Sequence, residues 1–309
     1  MENLSSIESL SVESLNLYLN SALRFMKDGK PCLPSALRNR LSGKTIALLF
    51  LEPSTRTRAS FEIAAKQLGA TTILINATNT SIQKGESIRD TCLNLVAMGV
   101  DLIVLRQNEK DILYSLCDDI PVPLVNAGNG SDAHPTQALL DTLTLLVALK
   151  RGGEIRRRDL SGIHISIIGD LKHSRVAKSD IRAFSKFGAH LTLGGPREGM
   201  LKDEKWSNID TVNTRKDALK NADAVVCLRV QKERIQGPFE GIHAWTIDDK
   251  VMQEEMKRGA FILHPGPVIW GEELSAEVSH STGCLILKQV GYGVAIRQAV
   301  LLHLLGMDT

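Results

Sequence analysis

The sequence predicts an α/β fold of two domains, each a mainly parallel sheet flanked by helices, with interdomain helices joining them. Three observations carry this. The chain has 309 residues, more than one hydrophobic core usually organises. Short runs of strand length alternate with longer segments of helical periodicity. The strand runs are apolar throughout, as expected of parallel strands covered on both faces.

Taken in order, Leu10, Leu15, Leu19 and Leu23 give helical spacing in a segment reaching about Lys27. Lys44–Leu51 is a strand, Arg58–Gly69 a helix stopped by glycine, and Thr72–Asn76 a strand. Glu86–Gly99 is a second glycine-stopped helix, followed by strands at Asp101–Arg106 and Val122–Asn126. Pro135–Arg151 is a helix with proline in its first turn, where the missing N–H has no partner to lose. Arg151-Gly152-Gly153 marks a domain boundary, and the basic run Glu154–Arg158 reads as a solvated connector, since no aromatics interleave it. The alternation then restarts. Ile163–Gly169 is a strand, Ala177–Gly188 a helix, and His190–Leu193, Ala224–Arg229 and Ala260–Leu263 are strands. Asp248–Arg258 is a helix with an acidic cap, and Ala295–Leu305 a last helix.

Lys plus Arg number 37 against 35 Asp plus Glu, a formal charge of +2. That balance argues against a nucleic-acid partner and leaves room for local basic pockets that take anionic metabolites. The five cysteines form no C-x-x-C pair and read as reduced thiols of a cytoplasmic protein. The acidic start lacks an apolar stretch, so no signal peptide is expected, and no 18-residue apolar run predicts a membrane span. Gly43-Lys44-Thr45 resembles the end of a P-loop, but position 38 is arginine and the triplet precedes its strand. Gly128-x-Gly130 lacks the third glycine of a dinucleotide fingerprint, and the strand ending at Gly169 has no glycine pair after it.

The richest constellation is Ser54-Thr55-Arg56-Thr57-Arg58, between a strand end and a helix start. Unpaired N–H groups at a helix N-terminus suit a phosphate, and an arginine fork can pair two of its oxygens. A helix cap would explain one hydroxyl, not the whole cluster. His134, just before Pro135, fits a capping histidine or a neutral imidazole that polarises a carbonyl. Ser81-Ile82-Gln83-Lys84 reads as a surface loop with a flexible cation. Arg175 and Arg229 follow strand ends and fit either salt bridges or a clamp on two carboxylates. His264-Pro265-Gly266-Pro267 is a stiff turn whose carbonyls could hold an amine. No metal-ligand spacing and no G-x-S-x-G elbow is present.

In this order — S-T-R-T-R, S-x-x-K-G-E, the lone Arg106, H-P-T-Q, R-V-Q-K-E-R and H-P-G-P — the motifs resemble the carbamoyltransferase family over nearly the whole chain, and its aspartate branch most. The resemblance implies a carbamoyl phosphate-binding domain at 1–150, completed by a C-terminal helix at 291–309, and an aspartate-binding domain at 151–290. It implies that Ser54, Thr55, Arg56 and Thr57 hold the phosphate and that Arg106 bridges phosphate and carbonyl oxygen. His134 and Thr57 would polarise the carbonyl. Gln137 and the carbonyl of Pro267, beside Gly266, would hold the carbamoyl amino group. Arg175, Arg229 and Gln231 would take the aspartate carboxylates, and Ser81 and Lys84 would enter from a neighbouring subunit of a homotrimer. It implies no metal or organic cofactor, and regulatory or dihydroorotase-like chains as further partners. Three departures stand out. The Ser81–Lys84 loop is one residue short of some members, Gly266 replaces Leu or Ala, and Ile269-Trp270 stands where many bacterial members carry Asn-Arg. The expected activity is carbamoyl transfer to L-aspartate. A different amine acceptor such as ornithine, or a catalytically silent structural role, are the alternatives.

Overall fold

A computed structural model describes residues 2–77, 81–149, 160–235 and 241–307. Helix α1, Val12–Arg24, buries Leu15, Tyr18, Leu19 and Ala22, and Ser11 caps it by accepting from the Ser14 N–H. A two-residue hairpin follows, β1 (Met26–Lys27) with β2 (Lys30–Pro31). Then come β3 (Thr45–Phe50), α2 (Arg56–Gln67), β4 (Thr71–Asn76), α3 (Ile88–Ala97), β5 (Leu102–Gln107), α4 (Ile112–Asp119), β6 (Leu124–Asn129) and α5 (Pro135–Ala148). The four longer strands form one parallel sheet in the order β4-β3-β5-β6. Ala47, Leu49, Ile103 and Leu105 of the strands pack on Cys92 and Leu95 of α3 and Leu113 and Leu116 of α4.

The second sheet is built from β7 (His164–Gly169), α6 (Arg175–Lys186), β8 (His190–Gly194), β9 (Asp210–Val212), α7 (Arg215–Leu219), β10 (Ala224–Leu228), α8 (Asp249–Glu254) and β11 (Phe261–Leu263). Its order is β11-β10-β7-β8-β9, again parallel. Gly169 ends β7 at φ 112°, and a Cβ there would lie 2.3 Å from the Leu228 carbonyl oxygen. Only glycine lets those two strand ends come so close. Helix α9, Ile286–Leu304, closes the chain.

The chain divides into two compact units, residues 2–143 with 290–307, and residues 144–149 with 160–289. Helices α5 and α9 each start in one unit and end in the other. The expected boundary at Arg151-Gly152-Gly153 and the basic run after it lie outside the described residues.

Several elements differ from the sequence reading for identifiable reasons. Helix α2 starts at Arg56, two residues early, so Arg56 and Thr57 belong to its first turn. The strand expected at Val122–Asn126 runs instead over Leu124–Asn129, because its pairing with β5 resumes past a register shift, Asn129 opposite Gln107. Helix α8 stops at Glu254, and Lys257 beyond it pairs with Asp223 at 2.5 Å. Helix α9 begins nine residues before Ala295 because Gly291 and Gly293 do not break it. A Cβ at Gly293 would meet Arg297 Nη1 at 2.5 Å and Leu140 Cδ2 at 3.1 Å. The glycine costs about 1 kcal/mol of helix propensity and permits that close approach. The hairpin, α4, β9 and α7 had no counterpart in the sequence reading.

Candidate active site

Each sheet reverses its strand order once, and the crevice at the carboxyl ends of the two strands flanking the reversal is where ligands of such sheets bind. In the first unit these strands are β3 and β5. Ser54 and α2 follow β3, and Arg106 lies at the end of β5. Arg106 Nη1 donates to Ser54 Oγ at 3.2 Å, and Arg106 Nε lies 3.3 Å from Glu52 Oε2. Both ionic side chains are largely shielded, so the pair anchors the guanidinium over the crevice. Thr55 precedes α2 without capping it through its side chain. The start of α2 is therefore a positive helix end of the kind that suits an anion. Exposed Arg56 stands beside it and Arg58 one turn-fraction further on.

His134 precedes Pro135 at the start of α5 and is buried, as is Thr57. His134 Nε2 lies 3.4 Å from Thr57 Oγ1. This distance joins the start of α5 to the first turn of α2. Gln137 sits one turn on, its amide N–H group bonded to Asp141 Oδ1 at 3.0 Å and Oδ2 at 3.1 Å. Ser54 and Arg106 thus meet at the sheet reversal, and the Thr57–His134 contact brings the start of α5, with Gln137 one turn on, to the same end of α2. Ser81 and Lys84 do not share these contacts. They occupy one turn of 3-10 helix, both exposed, tied locally by Gln83 Nε2 donating to the Ala77 carbonyl at 2.9 Å.

In the second unit the reversal falls between β7 and β10. Arg175 opens α6 and is buried, with Ser174 capping the helix. Arg229 and Gln231 follow β10. Asp170, fully buried, accepts from the Gln231 N–H at 3.0 Å and from His173 Nδ1 at 2.9 Å, stitching the two loops together. Arg229 forms a bidentate pair with Glu233, at 2.6 and 2.9 Å, and its Nη2 also donates to Gln231 Oε1 at 3.2 Å. The hydrogen bond from Arg229 holds the Glu233 carboxyl down from 4.5 to about 2. Its contribution to stability is complete above pH 4.5 and is lost as pH falls through about 2. The Glu233 side chain is half exposed, so solvent screens that contribution. A carbon-13 NMR titration of the Glu233 carboxyl should give a midpoint near 2; an unshifted midpoint would show that the pair does not form in solution.

The turn after β11 is held by a buried hydrogen bond between an imidazole and a carboxylate. His264 Nδ1 accepts the Gly266 N–H at 2.8 Å, so its Nε2 carries the proton donated to Glu273 Oε1 at 3.0 Å. Glu273 Oε1 also accepts the Ile269 N–H at 2.8 Å. Burial pushes the Glu273 carboxyl up, and these hydrogen bonds outweigh it, leaving the group below its ordinary value. The frame fixes Gly266 at φ 69° and a cis peptide to Pro267. Trp270 is surface-exposed.

The sequence reading missed the carboxylates that position these groups: Glu52, Asp141, Asp170, Glu233 and Glu273. Two had a signal. Asp141 lies four residues after Gln137 on a helix, and Glu233 four after Arg229. Among the described residues no cluster of His, Cys, Asp and Glu is placed to hold a metal ion.

Comparison with known proteins places this geometry. Residues 2–146 match the family model for the aspartate/ornithine carbamoyltransferase carbamoyl-P binding domain, and residues 161–304 match that for the Asp/Orn binding domain. The chain belongs to the aspartate/ornithine carbamoyltransferase family. Among curated members, the aspartate carbamoyltransferase catalytic subunit of Koribacter versatilis is 42% identical over 99% of this chain and 98% of its own. That of Solibacter usitatus is 40% identical over 97% and 98%. Among solved members, the aspartate transcarbamoylase of Trypanosoma cruzi, in complex with aspartate and phosphate, superposes with a TM-score of 0.81 at 28% identity, covering 97% of this chain and 93% of that one. The ornithine carbamoyltransferase of Pyrococcus furiosus gives a TM-score of 0.84 at 26% identity, covering 100% and 98%. Both acceptor branches of the family thus share this fold.

Proposed function

We infer that this chain transfers the carbamoyl group of carbamoyl phosphate to the α-amino group of L-aspartate, giving N-carbamoyl-L-aspartate and phosphate, an early step of pyrimidine biosynthesis. The observation that carries the reading is the first-unit crevice, where the uncapped start of α2 faces the Arg106–Ser54 contact. Full-length identity of 42% to an aspartate carbamoyltransferase catalytic subunit supports the acceptor, as do two arginines, Arg175 and Arg229, at the second sheet reversal. Ornithine carries a cation where aspartate carries its second carboxylate, and such a pair of arginines repels it.

In this reading Ser54, Thr55, Arg56 and Thr57 hold the phosphate with the α2 N–H groups. Arg106 bridges phosphate and carbonyl oxygen. The Gln137 amide and the Pro267 carbonyl take the carbamoyl amino group, beside Gly266. Arg175, Arg229 and Gln231 take the aspartate carboxylates, with Arg229 exchanging Glu233 for the ligand. The uncharged amine attacks the carbamoyl carbon, forming the C–N bond. Charge builds on the carbonyl oxygen, where Thr57, Arg106 and His134 stabilise it. The C–O bond to phosphate then breaks, and phosphate takes up the amine proton. The protein supplies positioning and electrostatic stabilisation, and each donor to such an oxyanion is worth on the order of 10²-fold or more in turnover.

Ser81 and Lys84 serve a neighbouring copy in this reading, within a homotrimer. The apolar side chains Ile63, Ile73, Leu74 and Met98, all surface-exposed on α2, β4 and the end of α3, support self-association through this edge. Five free thiols support a reducing, cytoplasmic setting, and none of the described helices is long and apolar enough to cross a membrane.

The test is phosphate release from carbamoyl phosphate with L-aspartate or L-ornithine as acceptor. Release with aspartate and none above background with ornithine is expected. The reverse pattern would move the chain to the other branch, and no release with either would favour a silent structural role.

A further inference from the structure

Arg297 is a buried cation in the first unit to which the mechanism above gives no task. It lies on α9 at 3% exposure. Its Nη1 donates to the Gly293 carbonyl at 3.0 Å, and its Nη2 lies 3.4 Å from Thr136 Oγ1. Its guanidinium carbon stands 5.0 Å from the centroid of the Phe61 ring on α2. The neighbouring Gln298, fully buried, donates to Gln67 Oε1 at the end of α2 at 2.7 Å. Burial pushes the Arg297 guanidinium down to about 9 and nearby Asp141 draws it up, so it stays protonated at neutral pH.

The partners of Arg297 are neighbours of the groups assigned to the carbamoyl unit. Thr136 stands between His134 and Gln137. Asp141 orients the Gln137 amide through both oxygens. Phe61 lies one turn after Thr57, whose contact to His134 is the loose 3.4 Å one. That contact is a weak one, as is the 3.4 Å Arg297–Thr136 contact, so neither alone sets the spacing of α2 and α5, and the Phe61 stacking and the Gln298–Gln67 bond act beside them. We propose that Arg297 is a positioning residue for carbamoyl transfer: from α9 it holds α2 and the first turns of α5 together, and so sets the spacing of Thr57, His134 and Gln137 around the carbamoyl group. A cation stacked on Phe61 and bonded toward Thr136 ties both helices at once. Gly293 leaves the room its fork needs. The inference rests on the transferase reading of the same crevice.

The test compares Arg297→Met and Arg297→Lys with wild type by steady-state kinetics and thermal melting, and combines Arg297→Met with Gln137→Ala. Arg297→Met should lower kcat on the order of 10- to 100-fold, as loss of a group that orients a ligand does, with KM for carbamoyl phosphate shifted far less. Arg297→Lys, which keeps the charge, should recover part of kcat. In the double variant the losses should fall well short of multiplying fully, because the part of the effect that runs through Gln137 is already gone. Unchanged kcat in Arg297→Met, or losses that multiply fully, would overturn the proposal. Should Arg297→Met fail to fold, Thr136→Val removes the hydroxyl without disturbing a charge. It should lower kcat severalfold at an unchanged melting temperature, and an unchanged kcat there overturns the proposal equally. An inactive wild type would overturn the transferase reading and this inference together. An active wild type beside an unimpaired Arg297→Met overturns this inference alone.

Discussion

Arg56→Ala should weaken carbamoyl phosphate binding by roughly a thousandfold while leaving the fold intact. Arg56 is exposed in the first turn of α2, so its stem supports no core packing. Its expected contribution is a two-point contact to phosphate. Two hydrogen bonds to a charged group, at about 2 kcal/mol each, give about 4 kcal/mol, or roughly 10³-fold in the dissociation constant. The α2 N–H groups, Ser54 and Arg106 remain, which is why binding weakens and the crevice persists. Calorimetric titration with carbamoyl phosphate reads the affinity. Thermal melting should stay within a few degrees of wild type, since surface substitutions away from caps and cores change stability by about 0.5 kcal/mol or less. Equal affinity in wild type and variant would remove the phosphate from this loop.

The second large effect concerns assembly. Lys84 and Ser81 lie on an exposed turn with local hydrogen bonds only among those described, whereas Arg106 meets Ser54 at the sheet reversal and Thr57 meets His134 at the start of α2. If Lys84 serves a neighbouring copy, Lys84→Ala and Arg56→Ala are each inactive alone but complement in mixed trimers. A mixed trimer has one position where an intact Arg56 meets an intact Lys84. Random mixing of equal amounts should restore about a quarter of wild-type activity, the share expected of closed three-fold symmetry. The measurement is turnover after dissociation and reassociation, alongside the particle mass. Mixed trimers that stay inactive would show that both residues serve the same chain's site.

Most strands of the two sheets were legible because they are apolar runs of strand length. TIALLF, LIVLRQ and HISIIG need no further context. The start of α9 was not legible, because Gly291 and Gly293 look like breakers until Arg297 and Leu140 are seen packed against the bare Cα of Gly293. Helix α4 was missed because it ends in Asp118-Asp119, the wrong charge for a helix C-terminus. Strand β9 is a polar edge, Asp210–Val212, with no apolar run to announce it. Helix α7 did leave a sign. Thr214 accepts from the Asp217 N–H, and T-R-K-D has capping-box spacing.

The same contrast holds for the site. Ser54, Arg106, His134, Gln137, Arg175, Arg229 and Gln231 stood out as candidates because they lie at strand and helix ends, where motifs concentrate. Of the groups that hold them, only Asp141 and Glu233 left a spacing signal. Asp170 accepts a backbone N–H from a loop 61 residues away, and Glu273 fixes a histidine nine residues back across an irregular turn. No spacing rule links such pairs. Asp141 and Arg297 meet around Thr136 only because α9 returns to the first unit.

The central claim is tested most directly by the identity of the product. Purified chain is mixed with carbon-13-labelled carbamoyl phosphate and nitrogen-15-labelled L-aspartate, and the products are followed by NMR. The account predicts a carbon signal coupled to the aspartate nitrogen, growing in step with released phosphate. Phosphate release without that coupling, or coupling only when ornithine replaces aspartate, would contradict it.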